Sequence, residues 1–285
     1  LERVGLREEK FVPKRFVLRR RSRAKGSREP GAQLRLFGLK IQNVSVHEAA
    51  NTLVAAARAR LRRRVYFVNA HCVNVAVRDA EYSRALESAD LIFADGSGMA
   101  IAARMAGTPL RANVNGTDLF PILCQQAAAL GVPMALLGAK PGIAERCAKN
   151  MKRRYPGLEF AWIHHGYFRE EETPALLASL NKSGAGILLV AKGVPLQELW
   201  ITRMASQIEV PVVLGVGALF DFYSGSIPRS PAWMRRLGME WAFRLALEPR
   251  RLFTRYVVGN PMFLSRLLAR RLRGGYMLRK RRLAP

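Results

Sequence analysis

Between Leu34 and Asp221 the chain alternates short apolar runs with longer stretches of helical periodicity, and no other property restricts its fold as much. Val65-Tyr66-Phe67-Val68, Leu91-Ile92-Phe93, Met134–Leu137, Leu158–Trp162, Ile187–Val190 and Val212–Leu214 each span a few residues between turn formers, as buried strands do. Helical stretches lie between them. One follows Ser45, which has capping-box spacing to Glu48; others are expected over Cys72–Ala89 and Gly98–Met105. A further helix is capped by Thr117 or Asp118 and closed by Gly131, the next runs through Lys152, another opens at Thr173-Pro174, and the last covers Pro195–Gln207. Strands alternating with helices predict a parallel sheet wrapped on both faces, a Rossmann-like α/β fold.

The flanks read differently. The chain carries 47 Lys and Arg against 21 Asp and Glu, a net charge of +26, and most of the excess lies at the two ends. Residues 1–33 mix Arg, Lys, Gly, Ser and Pro without a period and are expected to form a disordered basic arm. After Asp221, Arg recurs at helical spacing beside Leu, Phe and Trp, with Pro231, Pro249 and Pro261 as breaks. This predicts a helical appendage over residues 226–285 beside an α/β core over 34–225. Basic helices with aromatic faces suit an anionic membrane surface; a helical cap with a solvated arginine face accounts for the pattern equally well. Three cysteines without C-x-x-C spacing point away from a zinc site or disulfide framework and toward a reducing cytoplasm. No apolar run is long enough to span a bilayer, and the opening residues lack the apolar core of a signal peptide.

Residues that could do chemistry gather just past the expected strands. Asp95, in Ala94-Asp95-Gly96, follows the Leu91–Phe93 strand, where open α/β sheets bind ligands; it is a candidate general base or merely a helix cap. Asn69 and Gln197 occupy equivalent places and can share one crevice with it. His71 is a candidate acid or base, or a hydrogen-bonded structural histidine. Gly138-x-x-Pro141-Gly142 offers free N–H groups to phosphate, or is a tight turn. His164-His165 are expected to point apart on a strand, and Asp79-Ala80-Glu81 falls within a helix rather than in a metal-chelating loop. No pattern predicts a metal site.

In these residues the chain resembles the bacterial WecG/TagA/CpsF glycosyltransferases, glycosyltransferase family 26. The resemblance runs from about Leu34 to Tyr256. It rests on Asn69 with Ala76 and Asp79, Ala94-Asp95-Gly96, Asn115-Gly116-Thr117-Asp118-Leu119, and Leu137-Gly138 with Pro141-Gly142. It continues through Gly166-Tyr167-Phe168, Gly193-x-Pro195-x-Gln197-Glu198 and Gly215–Asp221. Its most specific part is Pro228-Arg229-Ser230-Pro231-Ala232-Trp233, followed by Leu237-Gly238-Met239-Glu240-Trp241, Arg244, Glu248-Pro249-Arg250-Arg251 and Arg255-Tyr256. Val68–Asn74 is most similar to the GumM-like exopolysaccharide branch. The resemblance implies inverting transfer from a UDP-sugar to a polyprenyl-diphosphate-linked sugar, without metal or other cofactor, at the inner face of the bacterial plasma membrane. By position it implies Asp95 as catalytic base and Asn69 and Gln197 as pocket residues; together with these, His71, Gly138 and Asp118 are expected to bind substrate. Arg229, Arg244, Arg251 and Arg255 are implied as cations for the leaving group, on an appendage that docks on the membrane. Phe67, Ala191, Leu196 and Asn113 depart from the family's Thr, Gly, Lys and Arg, and bear on the donor sugar.

Two other readings stay in view. Net positive charge also suits nucleic acid, but no helix-turn-helix, zinc-finger or aromatic RNP pattern accompanies it. A Rossmann oxidoreductase would need a glycine fingerprint that is missing. The expected partners are therefore a UDP-sugar, a lipid-linked acceptor and an anionic membrane, with no nucleic acid and with homo-oligomerisation left open.

Overall fold

The structure, a computed structural model, describes residues 33–272. Its strands are β1 (Gln33–Leu36), β2 (Leu39–Gln42), β3 (Arg63–Val68), β4 (Leu91–Ala94), β5 (Met134–Gly138), β6 (Phe160–His164), β7 (Ile187–Ala191) and β8 (Val212–Gly215). They form one sheet in the order β1-β2-β4-β3-β8-β7-β5-β6. Every pairing is parallel except the β1–β2 hairpin at one edge, so the carboxyl ends of β3 to β8 share one rim. The Rossmann-like reading holds, with the hairpin as an addition.

Helices cover both faces because the strands are apolar on both. On one face α1 (Val46–Arg58), α5 (Gly116–Leu130), α6 (Ile143–Arg154) and α9 (Leu219–Tyr223) bury Leu53, Phe120, Cys147 and Phe220 against the sheet. On the other, α2 (Ala70–Ala76), α3 (Ala80–Glu87), α4 (Ser97–Met105), α7 (Thr173–Lys182) and α8 (Leu196–Met204) bury Cys72, Tyr82, Met99, Leu177 and Ile201. The expected capping box forms: the Ser45 hydroxyl accepts from Glu48 N–H and the Glu48 carboxylate accepts from Ser45 N–H. Gly131 closes α5 in the left-handed conformation, φ 61°, as expected.

Three local expectations are corrected. The single helix over Cys72–Ala89 is two helices, because Asp79 is extended and its carboxylate caps Tyr82 N–H at 2.9 Å, starting α3 afresh. The cap of α5 is Asn115, which accepts from Asp118 N–H, so Thr117 and Asp118 already belong to the first turn. β6 lies two residues later than expected and ends at His164, so the histidine pair does not sit within a strand and His165 falls past its end. The rings of His164 and His165 then lie 4.5 Å apart, because strand alternation no longer separates them.

Beyond Asp221 come α10 (Ala232–Arg236), α11 (Glu240–Leu247), α12 (Pro249–Phe253), a π-helical turn over Thr254–Val258, and α13 (Gly259–Leu272); Pro231 and Pro249 open α10 and α12 as expected of breaks, whereas Pro261 lies in the first turn of α13 and interrupts nothing. α13 packs against α2 and α4 and buries Phe263 and Leu267 in the core of that face. The Asn74 amide donates to Gly259 O at 2.7 Å and fixes where α13 begins. The arm over residues 1–33 lies outside the described residues except for Gln33, which opens β1, and so does the appendage after residue 272. Among the described residues no helix is long and apolar enough to cross a membrane.

Candidate active site

Register builds the site. Val68 of β3 pairs with Ala94 of β4, so the next residues, Asn69 and Asp95, leave the sheet side by side. Asn69 is the N-cap of α2: its carbonyl oxygen accepts from His71 N–H at 3.0 Å and Cys72 N–H at 3.2 Å. With the oxygen engaged, its amide group points at Asp95 and donates to Oδ2 at 3.2 Å. Asp95 is half-buried and caps no helix, because Gly96, at φ 87°, is the residue that precedes α4. Burial raises the Asp95 carboxyl above the ordinary range; the Asn69 hydrogen bond and the fields of Arg255 and Arg244 pull it back. Asp95 is thus a desolvated carboxylate oriented by an amide and faced by arginines, which suits a proton acceptor.

His71, on the first turn of α2, is half-buried, and burial together with Arg255 pushes its pKa down to about 4. At neutral pH it is an uncharged imidazole of low basicity. Asp118, on the first turn of α5, accepts from Asn115 Nδ2 at 2.7 Å and pairs with Arg229 from the appendage. The Nε of Arg229 is buried without a partner among the described residues, as is the Nε of Arg255. Arg244 lies over the Phe222 ring, 5.4 Å from its centre. Arg251 pairs with Glu248, Nε to Oε1 at 2.9 Å, beside Asp221. The appendage thus brings Arg229, Arg244 and Arg255 to the rim where Asp95 sits, while Arg251 is held on its own helix.

Gln197 is placed differently from a side chain reading a ligand. Its Oε1 accepts from Gly193 N–H at 3.2 Å and Gly217 N–H at 2.8 Å, tying the loop after β7 to the loop after β8. Its Nε2 donates to Glu198 Oε1 at 2.8 Å, which sets which way round the amide sits. Glu198 is wholly buried, its Oε2 has no partner, and burial raises its pKa to about 7. Gly138 closes the crevice on the β5 side. At φ 137° a Cβ there would lie 2.4 Å from Ala191 O, so only glycine lets β5 and β7 meet this closely.

Sequence reasoning passed over Lys192 and gave no role to Glu198 or Glu240. Lys192 follows the last residue of β7; its Nζ donates to Gly166 O at 3.3 Å and sits 3.8 Å from the centre of the Phe168 ring, and burial lowers its pKa. Its place just past a strand was a legible signal of the kind used for Asp95. Glu240 stands in the Leu237–Trp241 stretch of the resemblance, but only the packing of the appendage brings it to the rim. Among the described residues no three His, Cys, Asp or Glu gather as a metal site. A cavity of about 330 Å³ beside Arg62, Arg63, Arg64 and Asp90 lies at the opposite, amino-terminal ends of the strands. Its one ion pair, Arg64–Asp90, is already closed, so it offers no comparable chemistry.

Residues 34–276 match the model of the family described as "Glycosyl transferase WecG/TagA/CpsF family". Two similar proteins bear the name N-acetylglucosaminyldiphosphoundecaprenol N-acetyl-beta-D-mannosaminyltransferase. That of Bacillus spizizenii is 30% identical over 193 residues, 68% of this chain and 74% of the relative. That of Bacillus subtilis is 30% identical over 182 residues, 64% of this chain and 70% of the relative.

Proposed function

Because the chain belongs to the WecG/TagA/CpsF glycosyltransferase family, we propose that it moves a sugar, with inversion, from a UDP-sugar to N-acetylglucosamine carried on a polyprenyl diphosphate. The relatives' names supply the acceptor class. The observation that carries the mechanism is the Asn69–Asp95 pair at adjacent strand ends, faced by arginines of the appendage. In this reading Asp95 takes the proton from an acceptor hydroxyl. That oxygen forms a bond to the anomeric carbon of the donor from the face opposite the nucleotide. The bond from that carbon to the diphosphate oxygen breaks, and its electron pair leaves with UDP. One base suffices for a single displacement of this kind.

The charge that develops on UDP calls for fixed cations. Arg229, Arg244 and Arg255 stand at the rim, Arg229 and Arg255 each with a buried Nε that has no partner among the described residues, and a divalent metal is not required in this reading. His71, neutral at working pH, lines the pocket rather than donating a proton.

Membrane attachment is part of the same proposal. Of the seventeen large apolar side chains exposed among the described residues, eleven lie between Trp233 and Leu272, including Trp233, Leu237, Phe253 and Leu268. Exposed apolar residues concentrated on one segment mark a docking surface, and the interleaved arginines suit an anionic leaflet. A bacterial protein so built works at the inner face of the plasma membrane, where the lipid-linked acceptor resides. The test is turnover of a panel of UDP-sugars, beginning with UDP-N-acetylmannosamine, with N-acetylglucosaminyl-diphospho-lipid in anionic vesicles. Release of UDP together with a lipid-linked disaccharide supports the reading; no turnover with any donor removes it.

A further inference from the structure

The appendage carries to the reaction centre a carboxylate that the mechanism above leaves unused. Gly238, at φ 70°, brings the chain so close to the first turn of α4 that a Cβ there would lie 3.1 Å from Ser97 Cβ, two residues past Asp95. Glu240 follows at the first position of α11, half-buried, with Arg244 one turn further along the same helix. Of the other acids around this rim, Asp118 pairs with Arg229, Glu248 with Arg251 and Asp95 accepts from Asn69, while Asp221 lies beside Arg251 without an ion pair among the described residues. Glu240 forms no ion pair among the described residues. It faces two like charges, Asp95 and Asp118, which with burial raise its pKa, and two opposite ones, Arg229 and Arg244, which lower it.

Like charges gathered in one half-buried place cost free energy unless hydrogen-bond donors are set between them. The donor diphosphate, which the arginines would hold, cannot fill that role, because when ionised it has no proton to donate to a carboxylate. Sugar hydroxyls can: each is a neutral donor, and a carboxylate is their strongest neutral-to-ionic partner. The side from which Glu240 projects is the appendage, whose exposed apolar residues Leu237, Met239 and Trp241 flank it directly. A lipid-linked sugar would arrive from there.

We propose that Glu240 is a substrate-binding carboxylate of the reaction centre, accepting a hydrogen bond from a hydroxyl of the acceptor sugar and turning the attacking hydroxyl toward Asp95. The assignment rests on the glycosyltransferase reading and adds the acceptor subsite to it. Steady-state kinetics of wild type, Glu240→Gln and Glu240→Ala, with donor and N-acetylglucosaminyl-diphospho-lipid varied in turn, test it. Glu240→Ala should raise the acceptor KM about 10- to 100-fold, the worth of one charge-assisted hydrogen bond. Glu240→Gln, which keeps an acceptor oxygen, should fall between it and wild type. The donor KM, Tm and vesicle binding should stay at wild-type values. An unchanged acceptor KM in both variants, an equal rise in donor KM, or a loss of kcat at unchanged acceptor KM overturns the assignment. Failure of wild type to turn over any UDP-sugar removes the underlying reading instead, so the two failures are distinguishable.

Discussion

Glu198→Gln should separate the pH dependence of folding in the variant from that of the wild type. Glu198 is wholly buried, its Oε1 receives Gln197 Nε2 at 2.8 Å, its Oε2 has no partner, and Tyr66, Tyr82 and Cys72 lie around it. Its pKa rises from 4.5 to about 7, through burial first of all, and the Gln197 hydrogen bond only partly opposes this. The folded state therefore keeps a proton that the unfolded state has lost between these values. Stability contributed at this site is complete below the unfolded pKa and declines as pH rises through the folded one. Each pH unit separating the folded and unfolded pKa values corresponds to about 1.4 kcal/mol, so the loss between pH 5 and pH 8 is about 2.5 kcal/mol. Glutamine retains an oxygen for Gln197 and cannot ionise. Whatever fixed cost its buried amide brings is the same at every pH and drops out of the comparison. Urea unfolding followed by tryptophan fluorescence at several pH values measures the difference. The stability of Glu198→Gln minus that of wild type should grow by about 2–3 kcal/mol from pH 5 to pH 8. Parallel pH profiles would refute the placement of Glu198 as a buried, proton-holding carboxyl.

Other expectations follow from the site and its frame. Asp95→Asn should lower kcat by about 10²–10⁴-fold at unchanged Tm, since it removes the base and keeps the shape; near-normal turnover would exclude Asp95 as the base. Because burial raises the Asp95 pKa, wild-type kcat/KM should fall on the acid side above the ordinary aspartate range, and Asn69→Ala, which removes the opposing hydrogen bond, should move that limb to higher pH. Gly138→Ala places a methyl group inside the Ala191 backbone and should destabilise the fold by more than about 3 kcal/mol, measured by urea unfolding. Trp233→Ser and Phe253→Ser, at exposed positions, should each weaken sedimentation with anionic vesicles about tenfold without changing Tm.

The frame was legible because it is written in local pattern. Six strands show as β-branched and apolar runs, and Asn69 and Asp95 stand just past two of them, so a shared crevice could be read before their 3.2 Å contact was known. The β1–β2 hairpin was missed although Gln33–Leu36 and Leu39–Gln42 alternate polar and apolar residues, because a run of four is too short to stand out from chance. Asp79 and Asn115 were misread for a common reason: a capping residue differs from a first-turn residue only in backbone angle, which composition does not record. Gln197 shows a further limit. Its strand-end position was visible in the sequence, but its two partners, Gly193 and Gly217, lie on different loops, so its role as a brace is tertiary. The appendage illustrates the same limit on a larger scale. Its amphipathic, basic texture was plain, whereas the burial of Phe263 and Leu267 on the core depends on α2 and α4. For that reason point variants on the exposed face test membrane docking more cleanly than removal of the segment. Arg279 and Arg282, whose charge reversal also bears on docking, lie outside the described residues.

The most direct test of the central claim is the stereochemistry and residue dependence of transfer itself. Purified protein, N-acetylglucosaminyl-diphospho-lipid in anionic vesicles and an α-linked UDP-sugar should give a β-linked disaccharide on the lipid and one equivalent of UDP, in excess EDTA as in its absence. Asp95→Asn should form both products about 10²–10⁴-fold more slowly. A disaccharide that retains the α-configuration, full activity in Asp95→Asn, or activity that requires added magnesium or manganese would each contradict a single displacement driven by Asp95 and the arginines of the appendage.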